Sequence, residues 1–267
     1  MAEDEEWMVE GPKVIDLAGI DRLKVGLIGG QVDIVGHDEP DTRVEVHSVS
    51  GRELRIAVRD GRLEIDHPQL RWDNWLETMR TFRAAARADV SVLVPREIGL
   101  RLGVVTASAL LSGTHGDASL STVSGDLVVD AVQGDLQVNA VSGEIAVRDH
   151  EGRMSVHTVS GDVTASGDLR SFSSDGVSGD VFLDLKGRGG SVIVNTVSGS
   201  VTARLEPDVS VDYAIATASG RLQLEDQHLT IVRGRYLGSS GPEGGDRLDL
   251  KVNSVSGNVN VLHAVHA

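Results

Sequence analysis

The sequence predicts an all-β fold, a β-solenoid or β-helix-like stack in which each coil of eighteen residues consists of two nine-residue half-coils. Glycine recurs every nine residues through the middle of the chain, and a Val-Ser-Gly triplet recurs every eighteen residues from 123–125 to 177–179. A fixed period of this size is typical of supersecondary units that stack on one another. The glycines assigned to this structural repeat are Gly116, Gly125, Gly134, Gly143, Gly152, Gly161, Gly179, Gly199, Gly220 and Gly257.

Apolar residues alternate with polar or small residues after each repeat glycine, and the apolar ones stand two and four positions beyond it. This alternation is typical of a β-strand with one buried face. We therefore predict that Val141, Ile145 and Val147, in a central repeat, lie in the solenoid interior. The other residues predicted to face inward are Leu127, Val129, Leu136, Val138, Met154, Val156, Val163, Ala165, Val181 and Leu183.

Nine is an odd number, so the alternation must slip once in every half-coil, and each slip indicates a corner. The Ser-Gly-Asp sequence supplies the corner, because glycine accepts positive φ and the Ser and Asp side chains bond nearby backbone groups. An antiparallel meander is the alternative architecture. The solenoid is favoured because the glycines do not follow Asn or Asp, as they do in two-residue hairpins, and because a simple meander gives no reason for an eighteen-residue identity.

Three regions are predicted along the chain. Residues 1–13 form an acidic flexible tail, residues 14–97 form a β-rich N-terminal region, and residues 98–267 form the repeat region, with an irregular loop at about 226–247. Within the N-terminal region, Asp60-Gly61 indicates a hairpin between two alternating runs. Strands are predicted at Leu23–Leu27, Gln31–Val35, Arg43–Val46, Leu54–Val58, Arg62–Ile65 and Asp89–Val94.

One segment, 71–88, breaks the β pattern and predicts a short amphipathic helix inserted into the N-terminal region. Its apolar residues recur at helical spacing, with charged residues, mainly arginines, between them. We expect the helix to cover an open sheet edge or the end of the solenoid. Docking to a partner or to a membrane is the alternative. The apolar stripe consists of Trp72, Trp75, Leu76, Met79, Phe82 and Ala86.

Composition and charge narrow the possible functions. The net charge of −15 disfavours binding to nucleic acid and to anionic lipid. The chain has no cysteine, which excludes disulfides, thiolate chemistry and cysteine-based zinc sites. No apolar run is long enough for an integral membrane segment, and the acidic N-terminus lacks the pattern of a signal peptide. We therefore expect a cytoplasmic protein.

Acidic residues follow most of the repeat glycines and are the candidates for a metal site. The eighteen-residue period would place Asp126, Glu144, Asp162 and Asp180 in one column. We expect these carboxylates to bond the backbone at the corners, and a weak divalent-cation column is the alternative. The calcium-binding nonapeptide Gly-Gly-x-Gly-x-Asp does not occur. Zinc-protease, nucleophile-elbow and phosphate-loop motifs do not occur either, so the sequence predicts no catalytic residue and no cofactor.

Iterated motifs carry a family resemblance. They are Thr-Val-Ser-Gly-Asp-Leu at 122–127, Ala-Val-Ser-Gly-Glu-Ile at 140–145, Thr-Val-Ser-Gly-Asp-Val at 158–163 and Val-Ser-Gly-Asp-Val at 177–181, preceded by Val-Ser-Val-Leu-Val-Pro at 90–95. With these motifs the chain resembles, over about 14–267, the bacterial putative-adhesin family of β-strand-repeat proteins, a domain of unknown function. The resemblance implies an all-β repeat fold without enzyme activity. It also implies a link to envelope stress or regulation, because related repeat proteins often accompany such genes.

Together these observations predict a non-enzymatic β-repeat scaffold or protein-interaction module that binds an unidentified protein. A polymer-forming, cytoskeletal-like solenoid is one alternative, and it is disfavoured because both ends of the repeat region carry irregular, cap-like segments. A surface adhesin is a second alternative. A carbohydrate-active β-helix enzyme is the third, and it is disfavoured because aromatic residues make up only 3% of the chain. The composition leaves a homo-oligomer open.

Overall fold

The computed structural model of the chain describes residues 5–68, 86–187, 189–224, 227–231, 234–242 and 246–264. The chain divides into two compact units, unit 1 over Met1–Gly134 and unit 2 over Asp135–Ala267. All regular structure in the described residues is β-strand, which confirms the all-β prediction. Most of the helix predicted at 71–88 lies outside the described residues. Its last two positions, Arg87 and Ala88, belong to a strand, which corrects that end of the prediction.

In the described part of unit 1 the strands are β1 Glu5–Val9, β2 Lys13–Leu17, β3 Arg22–Leu27, β4 Gly29–His37, β5 Thr42–Ser50, β6 Leu54–Arg59, β7 Arg62–Asp66, β8 Arg87–Pro95, β9 Gly99–Val104, β10 Ser108–Ser112, β11 Ala118–Thr122 and β12 Leu127–Asp130. Buried residues alternate with more exposed ones along most of the length of the longer unit 1 strands, such as β4 and β8.

Unit 1 consists of coils that contribute one strand to each of two rows. β3, β9 and β11 stack in parallel in one row, and β4, β10 and β12 stack in parallel in the other. Residues eighteen apart are partners, since Leu100 pairs with Ala118 and Ala109 pairs with Leu127. Parallel pairing at this offset is what a solenoid requires, and it excludes the antiparallel meander for these strands.

The N-terminal region belongs to the same stack. β7 pairs in parallel with β3 and β8 pairs in parallel with β4, so the β3–β4 coil lies between the β7–β8 coil and the β9–β10 coil. Antiparallel strands complete both rows, with β6 and β1 beyond β7, and β5 and β2 beyond β8. The row orders are therefore β1-β6-β7-β3-β9-β11 and β2-β5-β8-β4-β10-β12.

Two predictions for this region had different outcomes. The hairpin is confirmed, because β6 and β7 pair across Asp60 and Gly61, whose φ angles are 49° and 74°. The prediction of an acidic flexible tail over residues 1–13 is wrong for the described part of that segment, because Glu5–Val9 form β1 and pair with β6. The acidic residues concealed a one-sided strand in which Val9 is buried.

Unit 2 contains strands that are longer, because several run through a corner. In the described part of this unit they are β13 Leu136–Ser142, β14 Ile145–Ser160, β15 Val163–Ser178, β16 Val181–Leu185, β17 Gly190–Ser198, β18 Val201–Leu205, β19 Ser210–Leu224, β20 Gln227–Ile231, β21 Gly234–Ser240, β22 Arg247–Ser256 and β23 Val259–His263. The irregular loop predicted at about 226–247 is therefore wrong where β20 and β21 lie, since both pair antiparallel with β19.

The last coil of unit 2 in sequence is not the last in the stack. β22 pairs in parallel with β17 on one side and with β19 on the other. β23 likewise pairs in parallel with β18 and with the end of β19. This coil, named the inserted coil, thus lies between two coils that are consecutive in sequence.

Side chains that face into the coils form the interior of each unit. Every residue predicted to face inward except Val141 is buried, and the most exposed of them, Val181, has only 6% of its surface accessible. The interior is formed almost entirely by Val, Leu, Ile and Ala, with Phe172 as its largest fully buried side chain. Small aliphatic side chains suit a space between two rows about 10 Å apart.

Polar groups are also enclosed in unit 1. Arg55 Nη2 lies 2.7 Å from Asp66 Oδ2 and 3.4 Å from Glu64 Oε2. The hydrogen bond to Asp66 is the main cause that raises the pKa of the Arg55 guanidinium. His67 is fully buried, and neither ring nitrogen has a hydrogen-bond partner among the described residues. Burial lowers the pKa of His67 below its ordinary value of 6.5.

Candidate interaction surface

The repeat glycines stand where the backbones of neighbouring coils come closest. In unit 2, a Cβ atom on Gly199 would overlap the carbonyl oxygen of Gly179, and one on Gly257 would overlap that of Gly199. The same contact with a neighbouring coil of the stack is found at Gly116, Gly125, Gly161, Gly179 and Gly220. Positive φ, the reason predicted from sequence, holds only for Gly134, Gly143, Gly152, Gly179 and Gly199. The requirement common to most of these positions is therefore close approach rather than backbone conformation.

The serine of each triplet ties its coil to the one before it. Ser160 Oγ donates to the carbonyl oxygen of Val141 at 3.3 Å, and Ser178 Oγ donates to that of Val159 at 3.4 Å. Ser198 Oγ donates to the carbonyl oxygen of Val177 at 3.5 Å. These bonds are long and individually weak. Their repetition explains why serine precedes the corner glycine.

Two of the carboxylates that were candidates for a cation column, Asp162 and Asp180, accept hydrogen bonds from backbone N–H groups at the corners. The backbone N–H of Asp180 donates to Asp162 Oδ1 at 2.8 Å, and the N–H of Ser200 donates to Asp180 Oδ1 at 2.7 Å. Glu144 lines the same corner of unit 2, whereas Asp126 lies in unit 1. Among the described residues, no group of three or more His, Asp or Glu side chains could hold a metal ion.

The valine of each triplet points outward. Val159, Val177, Val197 and Val255 have 50%, 51%, 48% and 54% of their surface exposed. Their position follows from the pairing, because the adjacent residues Ser160, Ser178, Ser198 and Ser256 are register partners. With Val141 these residues form one column on unit 2, which we name the valine rib.

Val141 corrects a prediction, since it is half-buried and lies on the rib rather than in the interior. The slip in alternation falls between Val141 and Ile145, so the two residues point to opposite sides although both stand two positions from Gly143. The buried residue is the one before the valine, as Ala140 and Thr158 show. That small or hydroxyl-bearing residue was the sequence signal that could have revealed the rib.

A polar ladder runs beside the valine rib, two residues earlier in each coil. Asn253 Nδ2 donates to Asn195 Oδ1 at 2.7 Å, and Asn195 Nδ2 donates to Asp175 Oδ1 at 2.8 Å. His157 Nδ1 lies 3.4 Å from Asp175 Oδ2. This connected series was not predicted from the sequence, because its members differ in residue type and lie 18, 20 and 58 positions apart.

The polar ladder and the valine rib are the two walls of a groove in unit 2, which we name the rib groove. Its volume is about 810 Å³. Its floor contains the residues between the walls, including Gly176 and Thr196. A second, smaller groove on the other side of the triplet serines is lined by Glu144, Asp162 and the corner glycines. The rib thus lies between two grooves, with an amide and carboxylate wall on one side and carboxylates on the other.

Stacked parallel coils, corner glycines and ladders of identical side chains define a β-solenoid repeat protein. The chain belongs to the Toastrack DUF4097 family, whose model matches residues 20–262. This confirms the predicted resemblance to β-repeat proteins. A search of curated proteins found no match. Within the described residues, no helix has the length and apolarity needed to cross a membrane.

Three solved structures are similar over nearly their whole length. A protein described as a putative lipid binding protein from Parabacteroides distasonis is 11% identical, with 94% of this chain and 97% of that chain covered and a TM-score of 0.53. A putative adhesin from Bacteroides fragilis is 12% identical, with 97% of each chain covered and a TM-score of 0.43. A putative cell adhesion protein from Clostridium sporogenes is 14% identical, with 99% and 100% covered and a TM-score of 0.28. The first likeness concerns the fold alone.

Proposed function

We propose that this chain is a non-enzymatic interaction module and that the rib groove of unit 2 binds a partner protein. The observation that carries the proposal is the valine rib, in which four valines side by side each expose about half of their surface. Single exposed apolar residues are common, but a contiguous apolar column rimmed by polar groups is typical of an interaction site. The coarser description, a β-repeat protein of the Toastrack family, stands independently of this proposal.

The absence of enzyme activity is part of the same proposal. Among the described residues that line the rib groove, Asp175 is the ionisable side chain, and the rest are Val, Ala, Gly, Thr, Ser and Asn. General acid–base catalysis needs groups that give and take a proton beside the substrate, and nucleophilic catalysis needs an activated nucleophile. A lining of this composition suits recognition better than either.

Outer strands support a capped module over the polymer alternative. In unit 1 the outermost strand of each row, β1 or β2, carries charged residues, among them Glu5, Glu6, Lys13 and Asp16. Charged edge strands oppose pairing with the edge of another molecule. In unit 2 the antiparallel strands β20 and β21 complete the rows. The cytoplasmic location stays a prediction.

A photocrosslinking amino acid at Val197 in the full chain, expressed in the native host, tests the proposed function. Phe182 is the matched control position, because it is an apolar residue of unit 2 with 41% exposure that lies outside the rib groove. We expect discrete protein adducts from position 197, none from position 182, and their loss in a Val177→Ser background. Equal adducts at both positions, or none at 197, would refute the proposal.

A further inference from the structure

We infer that the segment bound in the rib groove is a cationic amphipathic α-helix, with its apolar stripe on the valine rib and its lysines or arginines beside the bordering carboxylates. This inference rests on the proposed function and adds the chemistry of the partner. It concerns unit 2 alone.

Charge is the first argument. Asp175 stands in one wall of the rib groove with 53% of its side chain exposed. Glu144 and Asp162 line the second groove, on the other side of the rib, and Asp180 follows the corner glycine of the next coil. None of the described residues lining either groove is a lysine or an arginine. An apolar stripe bordered on both sides by carboxylates complements a helix whose apolar stripe is bordered on both sides by cations.

The spacing of the rib is the second argument. Neighbouring coils lie about 4.8 Å apart, so the four exposed valines span about 14 Å. A helix rises about 5.4 Å per turn and can place one apolar residue near each valine over about three turns. Residues on one face of a β-strand recur every 6.6–6.8 Å or so, and such a strand would fall out of step with the valines after two contacts.

Backbone pairing excludes the other common mode of peptide capture. An added β-strand needs an open sheet edge. The strands that carry Val177, Val197 and Val255 have no such edge, because β15 pairs with β14 and β17, β17 pairs with β15 and β22, and β22 pairs with β17 and β19. The outermost strand, β21, lines the groove only at Gly234. The partner must therefore be recognised by side chains, which suits a helix whose own backbone groups are already satisfied.

Binding of model peptides to the full chain tests the inference. The probe is a synthetic peptide of about 14 residues, leucine and lysine in helical spacing, which is long enough to follow the rib. One comparison peptide carries glutamate for lysine, and another carries serine for leucine. The rib variant is Val177→Ser with Val197→Ser, two exposed positions. The charge variant combines Asp162→Asn, Asp175→Asn and Asp180→Asn, because asparagine keeps the oxygen that accepts the corner N–H groups.

The matched control removes three exposed acids from unit 1 by Glu6→Gln, Asp16→Asn and Asp21→Asn. By titration calorimetry we expect the lysine peptide to bind wild type and this control alike. Each unit 2 variant should weaken binding by about tenfold or more. The glutamate and serine peptides should bind wild type at least about tenfold more weakly than the lysine peptide, and added salt should weaken binding of the lysine peptide.

The outcomes separate the inference from the proposed function. If the lysine peptide binds the rib variant as tightly as wild type, the inference fails. It also fails if the unit 1 control loses as much affinity for the lysine peptide as the charge variant does, because the attraction is then non-specific. If the glutamate peptide binds equally well and the rib variant abolishes its binding, the groove binds but not by charge, so the inference fails while the proposed function stands. If crosslinking at Val197 also captures nothing, the proposed function fails as well.

Discussion

Units 1 and 2 both insert a coil into the middle of their stacks, but they take it from different places in the sequence. In unit 1 the β3–β4 coil lies between two coils that both follow it in sequence. In unit 2 the inserted coil, β22–β23, comes after both of its neighbours in sequence. A coil with a matching interior and open backbone edges can thus stack between coils that are not its immediate neighbours in sequence. The repeat therefore determines the shape of a coil but not its place in the stack.

The outer surfaces of the two units also differ. Unit 1 encloses an ion-pair cluster around Arg55, in which the three side chains are only 13–21% exposed. Unit 2 carries ladders of serine, amide and valine side chains that repeat from coil to coil. Ladders need long runs of coils in one register, which unit 2 provides. This is why the candidate interaction surface is in unit 2.

The largest effect is expected from a charge in the interior of unit 2. Ile145→Asp should cost more than about 4 kcal/mol, because the carboxylate would be buried without a partner. Val177→Asp, on the exposed rib, should cost little. Urea unfolding followed by tyrosine absorbance reports on unit 2, since both tyrosines, Tyr213 and Tyr236, lie there. An unchanged midpoint for Ile145→Asp would contradict the inward assignment.

Corner glycines should give the next largest effect, and it should be the same in both units. Gly199→Ala should cost about 2–4 kcal/mol, because the new Cβ would overlap Gly179 and the residue has positive φ. Gly125→Ala should be comparably costly in unit 1, where the new Cβ would overlap Ala107.

Two glycines are the matched controls for these corners. Around Gly176 the nearest atom would lie 3.5 Å from a new Cβ, and around Gly99 it would lie 3.8 Å away. Alanine at either position should shift the thermal midpoint little. If all four substitutions destabilised equally, loss of glycine flexibility rather than contact between coils would be the cause.

Ion pairs should distinguish the units more modestly. Arg55→Met in unit 1 should cost about 1–3 kcal/mol, because it leaves Asp66 enclosed without its cation. Glu64 keeps Lys24, whose Nζ lies 3.7 Å from Glu64 Oε1. Arg204→Met in unit 2 removes a pair with Asp184, but Arg204 is half exposed and water screens the charge. Arg55→Met should therefore lower the midpoint of thermal unfolding, and Arg204→Met should leave that midpoint almost unchanged. Equal shifts would contradict the distinction.

The smallest effect is a pH dependence specific to unit 1. Burial lowers the pKa of His67, so the folded protein keeps the imidazole neutral while the unfolded chain binds a proton below pH 6.5. The stability associated with His67 is therefore complete above that pH and is lost as the pH falls, by at most about 1.4 kcal/mol per pH unit. His67→Phe should flatten this loss between pH 7 and pH 5.

Features of a single coil could be predicted from the sequence, because they depend on the repeated local pattern. The coil period, the inward residues, the hairpin at Asp60-Gly61 and the corner glycines all follow from local pattern. The order of coils did not, because β22 carries the same alternation as β17 and β19 and therefore fits beside either. Val141 was assigned to the wrong side because the slip in alternation between Val141 and Ile145 makes these two residues point to opposite sides. The polar ladder was missed because its members join only through the folded register.

The place of the inserted coil in unit 2 has a consequence for synthesis on the ribosome. The strands that flank it, β17 and β19, are complete by Leu224, but they cannot both be paired on that side until β22 and β23 emerge about 40 residues later. At about 5–20 residues per second, the nascent chain exposes two open strand edges for a few seconds. During that interval the edges of β17 and β19 are open to pairing with strands of other chains.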